Sequence, residues 1–333
     1  MSPPSQPRIA VIGAGAFGKN HLRVIHQSEH ATLSGVLDSD SQRAQQAAAL
    51  YGCPVFSSLD ELAAQSGAAV VVTPTVTHAD IGCRLMQAGL DVLVEKPMAS
   101  DLASARSLLA AADRHGRILQ VGHLERFNPA VIALEPLLTK PLFFEVHRLS
   151  EFSPRSLDVD VVLDLMIHDL DIVLSIVGKA PEEVRAAGIS ILSSKVDIAN
   201  VRLQFPGGVI ANLTASRVST ERVRKLRLFQ PHEYISLDYS RQDGMRFRVK
   251  PSTTEAGPGG GGAVPGGLDF GPLAVTKDEP LRLELEDFFQ SIVSRCPPRV
   301  TGAQGYRALE AAQTILDKIE EHSQLVAATL GTA

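Results

Sequence analysis

The sequence predicts an α/β amino-terminal domain on a parallel sheet, residues 1–124, followed by an α+β domain, residues 125–333, whose mainly antiparallel sheet buries one face. Three observations carry this reading. Short apolar runs alternate with helical stretches as far as Val121, the pattern of strands joined by right-handed crossovers. The first of those runs ends in a glycine-rich turn, Gly13 to Gly18. Beyond Glu182 the pattern becomes apolar-polar alternation broken by short turns, which builds antiparallel strands with one buried face. A chain of 333 residues is long enough for two such cores.

Arg8 to Ile12 is a short strand, Gly13-Ala-Gly-Ala-Phe-Gly18 a turn, and Lys19 to His26 a helix. This is Gly-x-Gly-x-x-Gly in the strand-turn-helix context that a dinucleotide needs. Gly13 allows the tight turn, Gly15 the approach of a pyrophosphate and Gly18 close helix-strand packing, with Ala16 and Phe17 in the same cofactor loop. The first domain is therefore expected to be a Rossmann domain. A second strand, Leu33 to Leu37, delivers Asp38 about 20 residues after Gly18, where a carboxylate accepts from both ribose hydroxyls and repels a 2′-phosphate. That position favours NAD over NADP. Capping the helix from Ser41 is the competing role for Asp38, and Arg43 keeps NADP open as the lesser alternative.

Ser41 to Tyr51 and Leu59 to Gln65 read as helices flanking a short strand at Pro54 to Phe56. Ala69 to Val72 is a strand, Thr77 to Ala88 a helix, Asp91 to Glu95 a strand, Asp101 to His115 a helix and Ile118 to Val121 a strand. Pro97 has no N–H for a sheet ladder and keeps Lys96 from helical angles, so the strand stops with Glu95 and Lys96 at its carboxyl end. Ligands bind at that end of open parallel sheets. Thr73, Pro74, Thr75 and His78 occupy the corresponding loop of the preceding strand, where loop chemistry and cofactor contact are equal readings. Gly122 to Pro129 leaves the last strand and would carry His123, Arg126 and Asn128 over the same crevice. A plain helix start explains Asn128-Pro129 equally well.

A formal net charge of −5 argues against a polyanion-binding surface, so nucleic acid is not an expected partner. The longest apolar runs, such as Ala68 to Val72, are too short to span a membrane. Met1 to Pro7 lacks the basic start and apolar core of an export signal, so a cytoplasmic location is expected. Cys53, Cys83 and Cys296 have no metal-binding spacing and are expected as buried thiols in a reducing compartment; no metal is expected.

Val159 to Gly178 reads as a mostly apolar helix that Gly178 ends. Asp164, His168 and Asp171 fall on one face at i, i+4 and i+7, whereas Asp169 lies off it and is expected to be exposed. A polar stripe on a buried helix is expensive unless paired or used. It is either a satisfied network that fixes packing, or a carboxylate that orients an imidazole as a general base. Val184 to Ile191, Ala199 to Phe205, Val209 to Ser216, Val223 to Phe229 and Glu233 to Asp238 are the alternating strands. Arg217, Arg222, Arg224, Lys225 and Arg227 form a basic cluster, expected as a solvated strand face with a phosphate site as the lesser reading. Pro258 to Gly267 is expected to be a flexible loop, and Leu281 to Ser294 and Gly302 to Gln324 two closing helices that brace both domains.

Gly13-x-Gly-x-x-Gly18, Glu95-Lys96-Pro97 and Asp164-x-x-x-His168, in that order over nearly the whole chain, resemble the Gfo/Idh/MocA oxidoreductases. The resemblance implies a Rossmann domain followed by an open-faced α+β domain whose sheet makes oligomer contacts, here in a homodimer or homotetramer. It implies NAD-dependent oxidation of a sugar secondary alcohol, with Glu95 and Lys96 beside the cofactor, Lys96 and His168 at the reacting group and Asp164 assisting. Either Lys96 or His168 would take the proton. Val121 to Pro129 and Val161 to Asp171 are similar, more narrowly, to the nucleotide-sugar 3-dehydrogenases of that family. This implies the 3-hydroxyl of a UDP-N-acetylhexosamine as the target, substrate contacts from His123, Arg126, Asn128 and Arg217, and a pathway aminotransferase as a partner. An inositol-type polyol or free-sugar dehydrogenase and a non-catalytic NAD-sensing regulator are the alternatives; the presence of both Lys96 and His168 counts against the regulator.

Overall fold

The computed structural model describes residues 6–152, 159–250 and 267–330, which fall into two compact units, residues 1–127 with 278–310 and residues 128–277 with 311–333. The first unit is built from β1 (Arg8–Ile12), α1 (Ala16–Gln27), β2 (Thr32–Leu37), α2 (Ser41–Tyr51), α3 (Leu59–Gln65), β3 (Ala68–Val71), α4 (His78–Gln87), β4 (Asp91–Glu95), α5 (Leu102–His115) and β5 (Leu119–Gly122). Its sheet is parallel throughout, in the order β2-β1-β3-β4-β5. Ile9, Val11, Val70 and Leu93 are fully buried, as expected for strands covered on both faces. Asp40, Ser58 and Asp101 cap α2, α3 and α5 by accepting backbone N–H groups. Pro54 to Phe56, expected as a strand, contributes a single bridge between Val55 and Val36. Pro54 cannot donate to a ladder, and Ser58 already caps the next helix.

The second unit contains α6 (Pro129–Leu134), β6 (Phe143–Glu151), a π-helical turn (Val162–Met166) that leads into α7 (Ile167–Val177), and β7 (Glu183–Ile189), β8 (Ile198–Gln204) and β9 (Ile210–Ser219). β10 (Val223–Gln230), β11 (Glu233–Asp238), β12 (Asp243–Val249) and β13 (Leu268–Pro272) complete a sheet ordered β13-β12-β11-β10-β6-β9-β8-β7. All neighbours run antiparallel except β6 and β9. Gly178, in the left-handed conformation at φ 72, ends α7. Sequence periodicity missed the interior strand β6 because a buried position that should be apolar is occupied by Arg148. Residues 258–266 of the glycine-rich stretch lie outside the described residues; Gly267 accepts the Lys250 N–H.

α8 (Pro280–Ser294) returns to the first unit, where Leu285 and Phe288 join Leu22 and Ile25 of α1 in one core. α9 (Gly302–Leu330) begins in the first unit against β5: a Cβ at Gly305 would stand 2.6 Å from Val121. Its later turns belong to the second unit, where Ile319 lies against Gly188. Cys53 and Cys83 are half-buried and Cys296, in the turn after α8, is exposed, so the expectation of three buried thiols is corrected. Among the described residues no helix is long and apolar enough to cross a membrane.

Candidate functional site

A cleft of about 880 Å³ opens at the carboxyl ends of β1, β2 and β3. Gly13, Gly15, Ala16, Phe17 and Gly18 form one wall, Asp38, Ser39 and Arg43 another, and Thr73, Pro74 and Thr77 a third. Two of the glycines are demanded by packing. Gly13 sits at φ 98, and a Cβ there would lie 2.3 Å from the Val72 oxygen; at Gly18 a Cβ would lie 1.9 Å from the Gly13 oxygen. Gly15 is different, since nothing stands within 4 Å of its would-be Cβ. As the N-cap of α1 it offers no side-chain cap, which leaves the first-turn N–H groups to an anion from solvent. Asp38 Oδ2 accepts the Ala14 N–H at 2.7 Å and Oδ1 the Asp40 N–H at 2.8 Å. The competing role of helix cap has passed to Asp40, and Arg43 pairs with Asp38 at 3.6 Å and Asp40 at 3.3 Å.

Thr75, His78, Glu95 and Lys96 do not line that cleft. Thr75 opens a 3₁₀ turn, and His78 is 1% exposed with Nδ1 3.0 Å from the Pro97 oxygen and Nε2 2.8 Å from the Thr73 oxygen. His78 therefore ties the loop after β3 to the loop after β4, and burial pushes its pKa down. Glu95 is buried against His21, and Lys96, at the end of β4, is half-buried and precedes a cis peptide to Pro97. His123 and Arg126 are buried in the segment after β5.

In the second unit Asp164 lies in the π-helical turn and His168 in the first turn of α7, both half-buried; Asp171 is buried. A π turn inside a helix is frequent at functional sites and has no sequence signature. Asp169 overturns the expectation of exposure. It is 1% exposed and receives a bidentate pair of hydrogen bonds from Arg148, at 2.6 Å and 2.9 Å. Two expected substrate contacts are likewise given structural work. Asn128 caps α6 through the Ala130 N–H at 3.1 Å and donates to the Tyr239 oxygen at 3.0 Å. Arg217, 5% exposed, donates to the Val159 oxygen and lies 3.6 Å from Asp197. The basic cluster is thus partly internal, and Arg227 pairs with Glu145 at 2.9 Å.

Comparison with known proteins gives matches along both units. The description "Oxidoreductase family, NAD-binding Rossmann fold" matches residues 7–123, and "GFO/IDH/MocA C-terminal domain" matches residues 142–230. The chain is 36% identical over 316 residues to UDP-N-acetylglucosamine 3-dehydrogenase of Acidithiobacillus ferrooxidans, covering 93% of this chain and 98% of that one. The chain belongs to the Gfo/Idh/MocA oxidoreductase family. A solved structure of UDP-N-acetylglucosamine 3-dehydrogenase GnnA from Acidithiobacillus ferrooxidans matches this family member with a TM-score of 0.87 at 34% identity, over 95% and 99% of the two chains. Inositol 2-dehydrogenase of Rhizobium meliloti is 28% identical over 335 residues, 96% and 98% of the chains.

As a Gfo/Idh/MocA oxidoreductase the protein uses NAD, and the cleft fits that cofactor on its own geometry. The open approach at Gly15, the uncapped start of α1 and the Asp38 carboxylate suit a pyrophosphate and a ribose in turn. Sequence reasoning missed Ser39 and Thr77 on the cleft wall and the Arg148–Asp169 pair beside His168. Their common feature is that contact across the fold, not local pattern, gives them a role.

Proposed function

We propose that this NAD-dependent oxidoreductase oxidises a secondary alcohol of a sugar to a ketone, its substrate being the 3-hydroxyl of a UDP-N-acetylhexosamine. The observation that carries the reading is the similarity to a UDP-N-acetylglucosamine 3-dehydrogenase at 36% identity over 93% of the chain. NAD bound in the cleft supplies the hydride acceptor. The His168 imidazole takes the hydroxyl proton, Asp164 orients the ring and stabilises the imidazolium, and the Lys96 ammonium donates to the substrate oxygen as negative charge develops. His123, Arg126, Asn128 and Arg217 are the proposed substrate contacts, Asn128 and Arg217 being hydrogen-bonded within the second unit as well. A 3-keto sugar is the natural substrate of an aminotransferase, the expected pathway partner of a cytoplasmic enzyme.

The oligomer belongs to the same proposal. Phe143, Phe229, Tyr234, Phe247 and Phe270 occupy directly paired positions on five neighbouring strands, with ring centroids 4.8 Å to 5.8 Å apart. Phe270 is 68% exposed and Phe247 37%. A continuous apolar row on a sheet face suits a second copy of this chain, in a homodimer or homotetramer.

The deciding experiment follows NADH absorbance with UDP-N-acetylglucosamine, its uronic acid, glucose and inositol, with a ketone trap because alcohol oxidation stalls near equilibrium. A signal restricted to UDP-sugars supports the proposal. A signal with inositol favours the polyol reading, to which the similarity to inositol 2-dehydrogenase gives weight. Silence throughout, with NAD bound, favours a non-catalytic regulator.

A further inference from the structure

At the carboxyl end of β4 lies a group of buried polar side chains that the proposed reaction leaves unused. Glu95 Oε1 lies 2.9 Å from Nε2 of the fully buried His21, and Oε2 accepts the Lys96 N–H at 3.2 Å. The neighbouring strand is shaped around this carboxylate, since a Cβ at Gly122 would stand 2.9 Å from its carbon and both its oxygens. Gln120, fully buried on the same strand, donates Nε2 to the backbone oxygen of Glu284 in α8 at 3.1 Å. The Glu284 side chain is itself fully buried. Among the described residues, neither Glu284 carboxyl oxygen, nor Gln120 Oε1, nor His21 Nδ1 has a hydrogen-bonding partner.

One protonation state suits this group. As a carboxylate, Glu284 would be an unsolvated anion near a second anion, with only acceptor atoms to set beside the acceptor Oε1 of Gln120. As a carboxylic acid it supplies a donor, and Gln120 Oε1 and the Glu95 carboxylate are the acceptors in the group, reached directly or across an ordered water. We propose that Glu284 is a proton-bearing positioning residue: it leaves the negative charge of this buried group on Glu95, which His21 holds and which in turn holds the Lys96 backbone. Burial, then the Glu95 and Asp287 carboxylates, all raise the Glu284 pKa well above the ordinary carboxyl value. The other titratable or charged groups facing this one are His21 on α1, whose ring nitrogen meets Glu95, and Arg299, whose positive charge faces Asp287. The consequence for Lys96 rests on the proposed reaction; the proton on Glu284 does not.

The test uses the full chain. Infrared difference spectra between wild type and Glu284→Gln at neutral pH read the carbonyl stretch of a protonated carboxylic acid. The band is expected in wild type and not in the variant; a wild type without it overturns the proposal, whatever the substrate proves to be. In steady-state kinetics Glu284→Leu is expected to lower kcat by roughly tenfold to a hundredfold while the NAD dissociation constant stays within about twofold. Glu284→Gln is expected to restore wild-type kcat, a rescue that loss of packing alone would not give. Unchanged kcat in the leucine variant, or equal loss in both, overturns the positioning role. Should the leucine variant not fold, His21→Asn takes its place, with the same split between kcat and NAD affinity expected and its absence overturning the role. A wild type that turns over no alcohol sinks the reaction assignment, while the infrared result stands by itself.

Discussion

Replacing Arg148 with Met tests how the helix that carries His168 is held. Arg148 occupies the interior strand β6 at 1% exposure, with Nε 2.6 Å and Nη2 2.9 Å from the two Asp169 oxygens and its guanidinium 5.5 Å from the centroid of the Tyr239 ring. Methionine keeps most of the apolar stem, so the substitution removes charge pairing and cation–π contact more than packing. Taking one partner from a buried ion pair costs about 3–5 kcal/mol, because the remaining carboxylate cannot regain water. With roughly 2–4 °C of melting temperature per kcal/mol for a domain of this size, the transition should fall by roughly 6–20 °C. Urea titration followed by circular dichroism checks the free energy, and differential scanning calorimetry the temperature. The double variant Arg148→Met with Asp169→Leu removes both charges and should recover most of the loss. A single variant that loses less than about 1 kcal/mol, the range of exposed pairs, would refute the reasoning. A double variant as unstable as the single would do the same.

Lys96→Met should lower kcat by at least roughly a hundredfold, with the NAD dissociation constant unchanged within about twofold, since the lysine acts on charge that develops in the reaction; equal loss of turnover and NAD affinity, by fluorescence titration, would count against that role. Asp38→Ser should weaken NAD and raise relative affinity for NADP by roughly tenfold, because the carboxylate that repels a 2′-phosphate is gone; an unchanged affinity ratio would remove Asp38 as the selector. Glu284 carries a raised pKa, so the folded chain holds a proton that the unfolded chain releases. The stabilisation is complete below the ordinary carboxyl range and is lost as pH rises through the raised value, so Glu284→Gln, which cannot ionise, should gain on wild type in melting curves taken toward alkaline pH. A constant difference across that range would contradict it. Phe247→Asp with Phe270→Asp should lower the mass measured by light scattering to that of one chain, and an unaltered mass would show that the aromatic row is not the interface.

Much of the first unit was legible because a parallel sheet leaves strong local marks. Strands covered on both faces are continuous apolar runs, and Gly13, Gly15 and Gly18 stand where backbone sterics leave little choice. Asp40, Ser58 and Asp101 cap helices from sequence-adjacent positions, so α2, α3 and α5 begin within a residue of expectation. Pro54 to Phe56 failed because three residues of strand character do not show whether a ladder continues on either side. β6 failed because Arg148 reads as exposed until its partner Asp169 is known, and Asp169 read as exposed for the same reason.

By itself the sequence determined the alternation that builds the parallel sheet, the glycine turn that leaves α1 uncapped toward the cleft, and the carboxylate that β2 delivers to it. Those features depend on neighbours a few residues away, where φ/ψ limits and side-chain period act directly. Only the tertiary structure decided that His78 ties two loops, that Asn128 and Arg217 hold the second unit, and that His21, Glu95, Gln120 and Glu284 share one buried site. A charged or polar side chain has the same local propensity whether it meets water, a ligand or a buried partner. Which of these it meets is a matter of burial and of residues distant in sequence, and the energy of the group is set there.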